Sequence, residues 1–379
     1  MIEREPIKNN NKFNSPGHSD QSADSTSALN KAAQIAPDTE PRPADQIGLP
    51  QAGAIASVAA GNYTALLARP GGKINRGDRI FTIIIRSIVL AVLAVMVGIF
   101  IVLVTGAAPA ISRFGPGFIV STGWDPVKLS FGALPFIVDT LIVALIAMVL
   151  ATVVGLGTAI YVTEYAPRWI QEPIAYLIEL LAFIPSVVYG LWGLLVMAPW
   201  LQTTIQPWLA DNLGFIPAFN GAPYGVGIMS ASLILAMMLV PLVVALSREA
   251  LLLVPDAQKE AMYALGATRW EVIRQAILPY ARVGIAGALI ISLGRALGET
   301  MAVAMTIGGG FQLPTTVLDQ GYTLASIIAN EINEVSSDTY LSALIFCGLI
   351  LFVVTVGVNI GAYMLLQRLS GPRGLRVKG

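Results

Sequence analysis

The chain has 379 residues, 55% hydrophobic and only 12% charged, with a mean hydropathy of +0.71, whereas soluble domains carry about 25% charged residues. Acidic and basic side chains balance at 23 each, so no bulk charge points to nucleic acid, and no nucleic-acid partner is expected. One cysteine, Cys347, rules out a disulfide framework, and one histidine, His18, leaves no transition-metal cluster.

Residues 1–75 are rich in Asn, Ser, Asp, Gln, Pro and Ala without a sustained period, and are expected to form a disordered polar segment on the cytoplasmic side. The opening Met1-Ile2-Glu3-Arg4-Glu5-Pro6 lacks a basic region followed by an apolar core, so no cleaved signal peptide is expected. Residues 76–370 make up the expected transmembrane domain, and 371–379 a short basic cytoplasmic tail.

About 20 apolar residues cross the hydrocarbon of a bilayer. Six stretches qualify: 80–105, 136–161, a broken one over 174–184 and 186–201, 225–246, 280–307 and 340–366. In the third, Pro185 interrupts the run, with an interfacial half before it and the span after it. The composition and these stretches predict an all-α integral membrane protein of six transmembrane helices. Basic residues set its orientation. Arg69, Lys73, Arg76 and Arg79 precede the first span, Arg168 follows the second, and Arg248, Lys259, Arg269, Arg274 and Arg282 surround the loop after the fourth. Arg368, Arg373, Arg376 and Lys378 follow the last, whereas the loops on the other side hold only Arg113 and Lys128. Both termini are therefore expected in the cytoplasm. Trp192, Trp200 and Trp208 read as interfacial anchors, Gly308-Gly309-Gly310 as a plain loop, and Asp139 and Glu179 carry no assigned role.

The loop over 255–279 is organised. Pro255-Asp256 suits a helix start, Ala257, Ala261, Ala264 and Leu265 share a face, and Gly266 suits a left-handed stop. Thr268 followed by Glu271 is a capping box, opening a second helix that runs to Leu278 before Pro279 stops it. Two short helices around a glycine bend make a knob studded with Lys259, Arg269 and Arg274, suited to another protein's groove. Glu260-Ala261-Met262, then Gly266, then Leu278-Pro279 resembles the coupling loop of bacterial ABC importer permeases, E-A-A, three residues, G, nine residues, I-x-L-P. Met262 and Ala276 depart from that pattern. The resemblance implies docking onto an ATP-hydrolysing subunit through Glu260, Ala261, Gly266, Arg269, Leu278 and Pro279. No Gly-rich loop followed by Lys-Ser or Lys-Thr occurs in the chain, so ATP and magnesium are expected on that partner, with no cofactor and no catalytic residue here.

Gly294-Arg295-Ala296-Leu297-Gly298-Glu299-Thr300 lies within the fifth apolar stretch, where each ion costs about 2.5 to 3.5 kcal/mol at a helix centre. On a continuous helix, Arg295 and Glu299 share a face and partly neutralise each other, while Gly294 and Gly298 have the GxxxG spacing of close helix packing. The pair either fixes packing alone or presents Arg295 to an anion, since guanidinium is a planar fork of donors matched to phosphate oxygens.

The string 294–303, with Ile184-Pro185-Ser186-Val187-Val188-Tyr189-Gly190-Leu191-Trp192-Gly193, resembles the phosphate-specific permeases of the PstC type, in the binding-protein-dependent transport system inner-membrane component family. The similarity extends over about 80–369. It implies the type I ABC importer (MetI-like) fold in a bacterial inner membrane, with Arg295 and Glu299 on the substrate path. It also implies a homologous second permease, two ATPase subunits and an extracytoplasmic phosphate-binding protein, importing inorganic phosphate at the cost of ATP. Three alternatives stay open on the residues: another oxyanion such as sulfate or molybdate, an ion-gradient transporter or channel, and a sensory scaffold.

Overall fold

The computed structural model describes residues 76–370; the expected disordered segment 1–75 and tail 371–379 lie outside the described residues. All regular elements among them are helical. In chain order they are α1 (Arg76–Phe114), α2 (Gly117–Val120), α3 (Leu134–Tyr165) and α4 (Arg168–Ala182). Then come α5 (Ser186–Leu213), α6 (Ile228–Leu252), α7 (Asp256–Ala264) and α8 (Arg269–Leu297). The last three are α9 (Met301–Thr306), α10 (Leu324–Glu331) and α11 (Asp338–Ser370). Five helices, α1, α3, α6, α8 and α11, are long and apolar enough to cross a membrane, and α4 with α5 make a sixth candidate bent by 87°. The bend falls at Pro185, as the proline predicts, and the Tyr189 hydroxyl bridges it by donating to the Leu181 carbonyl at 3.1 Å.

The residues from Ile85 onward form one compact unit. Its centre is the pairing of α3 with α6 through small side chains: Ala144, Ala147 and Ala151 face Ala231, Leu235 and Leu239. A Cβ on Gly155 of α3 would stand 2.8 Å from Val243 of α6, and one on Gly284 of α8 would stand 2.6 Å from the Ala250 Cβ. In lipid, where apolar tails compete equally well for apolar side chains, such close backbone approach is what holds helices together. Three buried hydroxyls bond back to their own helix, Ser232 to Ile228, Ser292 to Ala288 and Thr306 to Ala302.

Two expectations about helix ends are corrected. Pro279 does not stop the second helix of the knob, because residues Ile273–Ile277 form a widened π turn just before it and α8 continues through to Leu297. The same device precedes Pro199 and Pro207 in α5, where π turns occupy Gly193–Met197 and Leu201–Ile205. Each widened turn relieves the clash of the proline ring with the preceding turn, so the chain stays helical. Conversely, the fifth stretch is not one helix over 280–307. It ends at Leu297, with Gly298 as its cap, and restarts as α9 at Met301.

Replacing Gly155 by Leu forces α3 away from α6. The expected cost is about 1–3 kcal/mol, read as an earlier thermal unfolding of the detergent-solubilised protein; an unchanged midpoint would show that the two backbones do not meet there.

Candidate functional site

The break between α8 and α9 places the two charges of the fifth stretch differently from a continuous helix. Arg295 sits in the last turn of α8, exposed, without an ion-pair or hydrogen-bond partner for its side chain among the described residues. A cation there is favoured by the negative end of the helix dipole. Glu299 lies beyond the cap, and its Oε1 accepts from the Ala302 backbone N–H at 3.2 Å, closing the exposed start of α9. The expected Arg295–Glu299 pair on a shared face is therefore corrected: each carboxylate or guanidinium serves the helix end of opposite polarity. Of the two expected packing glycines, Gly294 meets the Asn359 amide of α11, 3.3 Å from a Cβ position, whereas Gly298 is exposed and serves as the helix cap. A glycine stop followed by Glu299-Thr300 is a helix stop-and-start signal that was present in the sequence.

The two strings carrying the resemblance come together in space. A Cβ on Gly190 would lie 2.9 Å from Met305 Sδ and 3.0 Å from the Ala302 Cα; one on Gly193 would lie 2.9 Å from Thr306 Cγ2. These contacts set the start of α5 beside α9 with their chains running in the same direction. Backbone interrupted at membrane depth is tolerated only where protein buries it or where it lines a water-filled path. Arg295 is exposed at the end of α8, where the chain breaks before α9.

On the side of the basic loops, α7 and the start of α8 form the knob. Gly266 takes φ +83°, the left-handed conformation, and the Ala267 N–H closes on the Met262 carbonyl at 3.1 Å. Pro255 caps α7 rather than opening it, and the Thr268–Glu271 capping box is complete. Glu260, Ala261 and Arg269 are exposed, Leu278 packs against the core beneath, and Pro279 is exposed. Leu265 is 85% and Trp270 57% exposed, so the knob offers apolar surface beyond its expected alanine face. Lys259 is not free surface charge: its Nζ pairs with Glu164 Oε1 of α3 at 2.9 Å.

At the other end, the segment after α9 is a built structure rather than a plain loop. Gly308 and Gly309 take φ values of +93° and +89°, and the Gly309 and Gly310 N–H groups donate to the Gly321 carbonyl. Asp319 accepts from the N–H and hydroxyl of both Thr315 and Thr316. Burial pushes its carboxyl up, but these donors outweigh burial and hold it below its ordinary value of 3.8. Asp139, without a role in the sequence reading, is wholly buried, and its Oδ2 accepts from the Tyr322 N–H at 3.1 Å. Beside it, Thr140 Oγ1 accepts from the Leu324 N–H at 2.9 Å. A cavity of about 640 Å³ opens next to the segment, lined by Trp124, Tyr224, Phe311, Asp319 and Gln320 among others. Trp192 and Trp200 line a separate apolar groove between α5 and α6.

Membrane-length helices around a broken, charged span define a multi-pass integral membrane protein of the transport-permease class. The chain belongs to the family described as "Binding-protein-dependent transport system inner membrane component", whose profile matches residues 151–371. It is 45% identical over 289 residues to a Haemophilus influenzae protein named "Phosphate transport system permease protein PstC", covering 75% of this chain and 91% of that one. A Mesorhizobium japonicum protein of the same name is 42% identical over 301 residues, covering 78% and 92%. The fold is shared with a solved bacterial ABC transporter involved in the import of the polysaccharide alginate, at 17% identity and a TM-score of 0.51 over 78% of this chain and 98% of that one.

Asp319→Ala removes four hydrogen bonds at once. Amide exchange at Thr315 and Thr316 is expected to accelerate about tenfold or more, equivalent to ~1.4 kcal/mol. In the wild type this stabilisation is complete above the unfolded value of 3.8 and is lost as the pH falls through the lower folded one. Exchange unaltered by the substitution would show that the threonines do not depend on the carboxylate.

Proposed function

We propose that this chain is the membrane-spanning subunit of an ATP-driven importer of inorganic phosphate and forms half of its translocation path. The observation that carries the reading is Arg295, exposed and unpaired at a break in a membrane-length helix. With no carboxylate to displace, its guanidinium is free to take two oxygens of an incoming oxyanion in a bidentate pair. Among oxyanions, the relatives' names favour phosphate over sulfate or molybdate. Glu299 has a different part: by capping α9 it fixes where the helix restarts, and so where Arg295 stands.

The knob at 255–279 is the proposed dock for the motor, with Glu260, Ala261, Gly266, Arg269 and Pro279 exposed and Leu278 holding it from beneath. Force enters there from two ATPase subunits, which hold ATP and magnesium, and the chain itself performs no hydrolysis. A homologous second permease completes the path, and an extracytoplasmic phosphate-binding protein delivers the anion to the face carrying 308–324. The bias of Arg and Lys in the sequence supports both termini in the cytoplasm. Transport then follows alternating access, in which nucleotide-driven movement of the knobs opens the path first outward and then inward.

The test is ATP-dependent uptake of labelled phosphate by vesicles holding the full complex and the binding protein, with sulfate and molybdate as competitors. Arg295→Lys keeps the charge but loses the fork, and uptake is expected to fall roughly tenfold or more. Unimpaired uptake by that variant, or equal competition by sulfate, would count against the assignment.

A further inference from the structure

Among the described residues, three ion pairs are present, and two are local: Lys128 with Asp125, and Arg248 with its neighbour Glu249. The third, Lys259 with Glu164, joins segments 95 residues apart at 2.9 Å, with side chains only 19% and 12% exposed. It fastens a helix that has little else to hold it, since no residue of α7 is buried and only the half-buried Met262 reaches the core below. Glu164 lies in the π turn that ends α3, and the corner after it is braced by Gln171, whose Nε2 donates to the Ala166 carbonyl at 3.0 Å.

From that joint α3, a single helix over Leu134–Tyr165, runs back to Asp139, a span of about 38 Å at 1.5 Å per residue. Its opposite end carries Asp139 and Thr140, both buried. These neighbours accept from the Tyr322 and Leu324 N–H groups, 183 and 184 residues further along the chain. The seat is close: a Cβ on Gly321 would stand 2.1 Å from Asp139 Oδ2. Gly321 in turn donates to the Ile307 carbonyl, directly after α9. A continuous chain of contacts therefore leads from the knob through α3 to the segment that follows the Arg295–Glu299 break.

We propose that α3 is the rod through which movement of the cytoplasmic knob reaches the outer segment 308–324, with Lys259–Glu164 and Asp139–Tyr322 as its two joints. This rests on the reading of 255–279 as the coupling loop. Lys259, Glu164 and Asp139 are positioning residues: they touch no transported anion, and they decide whether hydrolysis is converted into movement. Removing either joint leaves the motor running and disconnects it from the outer face.

The test uses the full complex in vesicles, with Gln312→Cys as a reporter. The chain's one natural cysteine, Cys347, is wholly buried, so a membrane-impermeant maleimide reads the introduced thiol. In the otherwise wild-type chain, trapping with ADP and vanadate is expected to change the labelling rate. Lys259→Met and Asp139→Ala are expected to keep ATP hydrolysis, lose that change, and carry several-fold less phosphate per ATP. The exchange of Lys259→Glu with Glu164→Lys is expected to restore both, and Asp139→Asn, which keeps an oxygen for the Tyr322 N–H, to behave as wild type. A wild-type labelling change and coupling ratio in Lys259→Met overturns the proposal. Should that variant not assemble with its ATPase, Glu164→Ala, which removes the acceptor altogether, is read in the same way, and a wild-type response there overturns it equally. The labelling needs no phosphate, so a complex that moves with nucleotide but imports no phosphate refutes the substrate and not the rod.

Discussion

In hydrocarbon no water is available to backbone N–H and C=O groups, so every one of them must find a partner inside the protein. That constraint organises the whole chain. It makes every spanning element a helix, turns buried Ser and Thr back onto their own carbonyls, and restricts interruptions to places where something else completes the bonding. At the bend before α5 the Leu181 carbonyl accepts from both the Ile184 N–H and the Tyr189 hydroxyl, and at the start of α9 the Glu299 carboxylate takes up a freed N–H. Pro199, Pro207 and Pro279 are each preceded by a widened turn rather than a break.

The same constraint gives the charges their meaning. A guanidinium in an apolar stretch is costly, and a carboxylate four residues away would be the natural way to reduce that cost. The chain instead spends the carboxylate on a helix end and leaves Arg295 exposed. In the proposed function this unpaired cation at a helix break awaits an anion, which ties the proposed phosphate path to a feature of the backbone and not only to the identity of one side chain.

Small residues complete the picture. Gly155 and Gly284 let α3 and α8 close on α6, and Gly190 and Gly193 let α5 close on α9. The result is a tightly packed centre whose 308–324 segment is fastened by Asp139 and Thr140, while α7 at the opposite end hangs on one ion pair and one methionine. Such an arrangement combines a rigid body with a lightly attached handle, which is what a subunit driven from outside itself requires.

By itself the sequence determined the number and order of the membrane-length helices, the bend at Pro185, the glycine turn at Gly266 and the Thr268–Glu271 cap, because these follow from local rules of hydropathy, φ preference and capping. It also marked Arg295 and Glu299 as the unusual charges of the chain. Only the tertiary structure decided that these two do not pair, that α8 passes through Pro279, that Lys259 turns inward to Glu164, and that Asp139 grips a segment 183 residues away. Periodicity places residues on a common face only while a helix continues, and neither the end of a helix in a packed bundle nor a contact between distant segments is written in neighbouring residues.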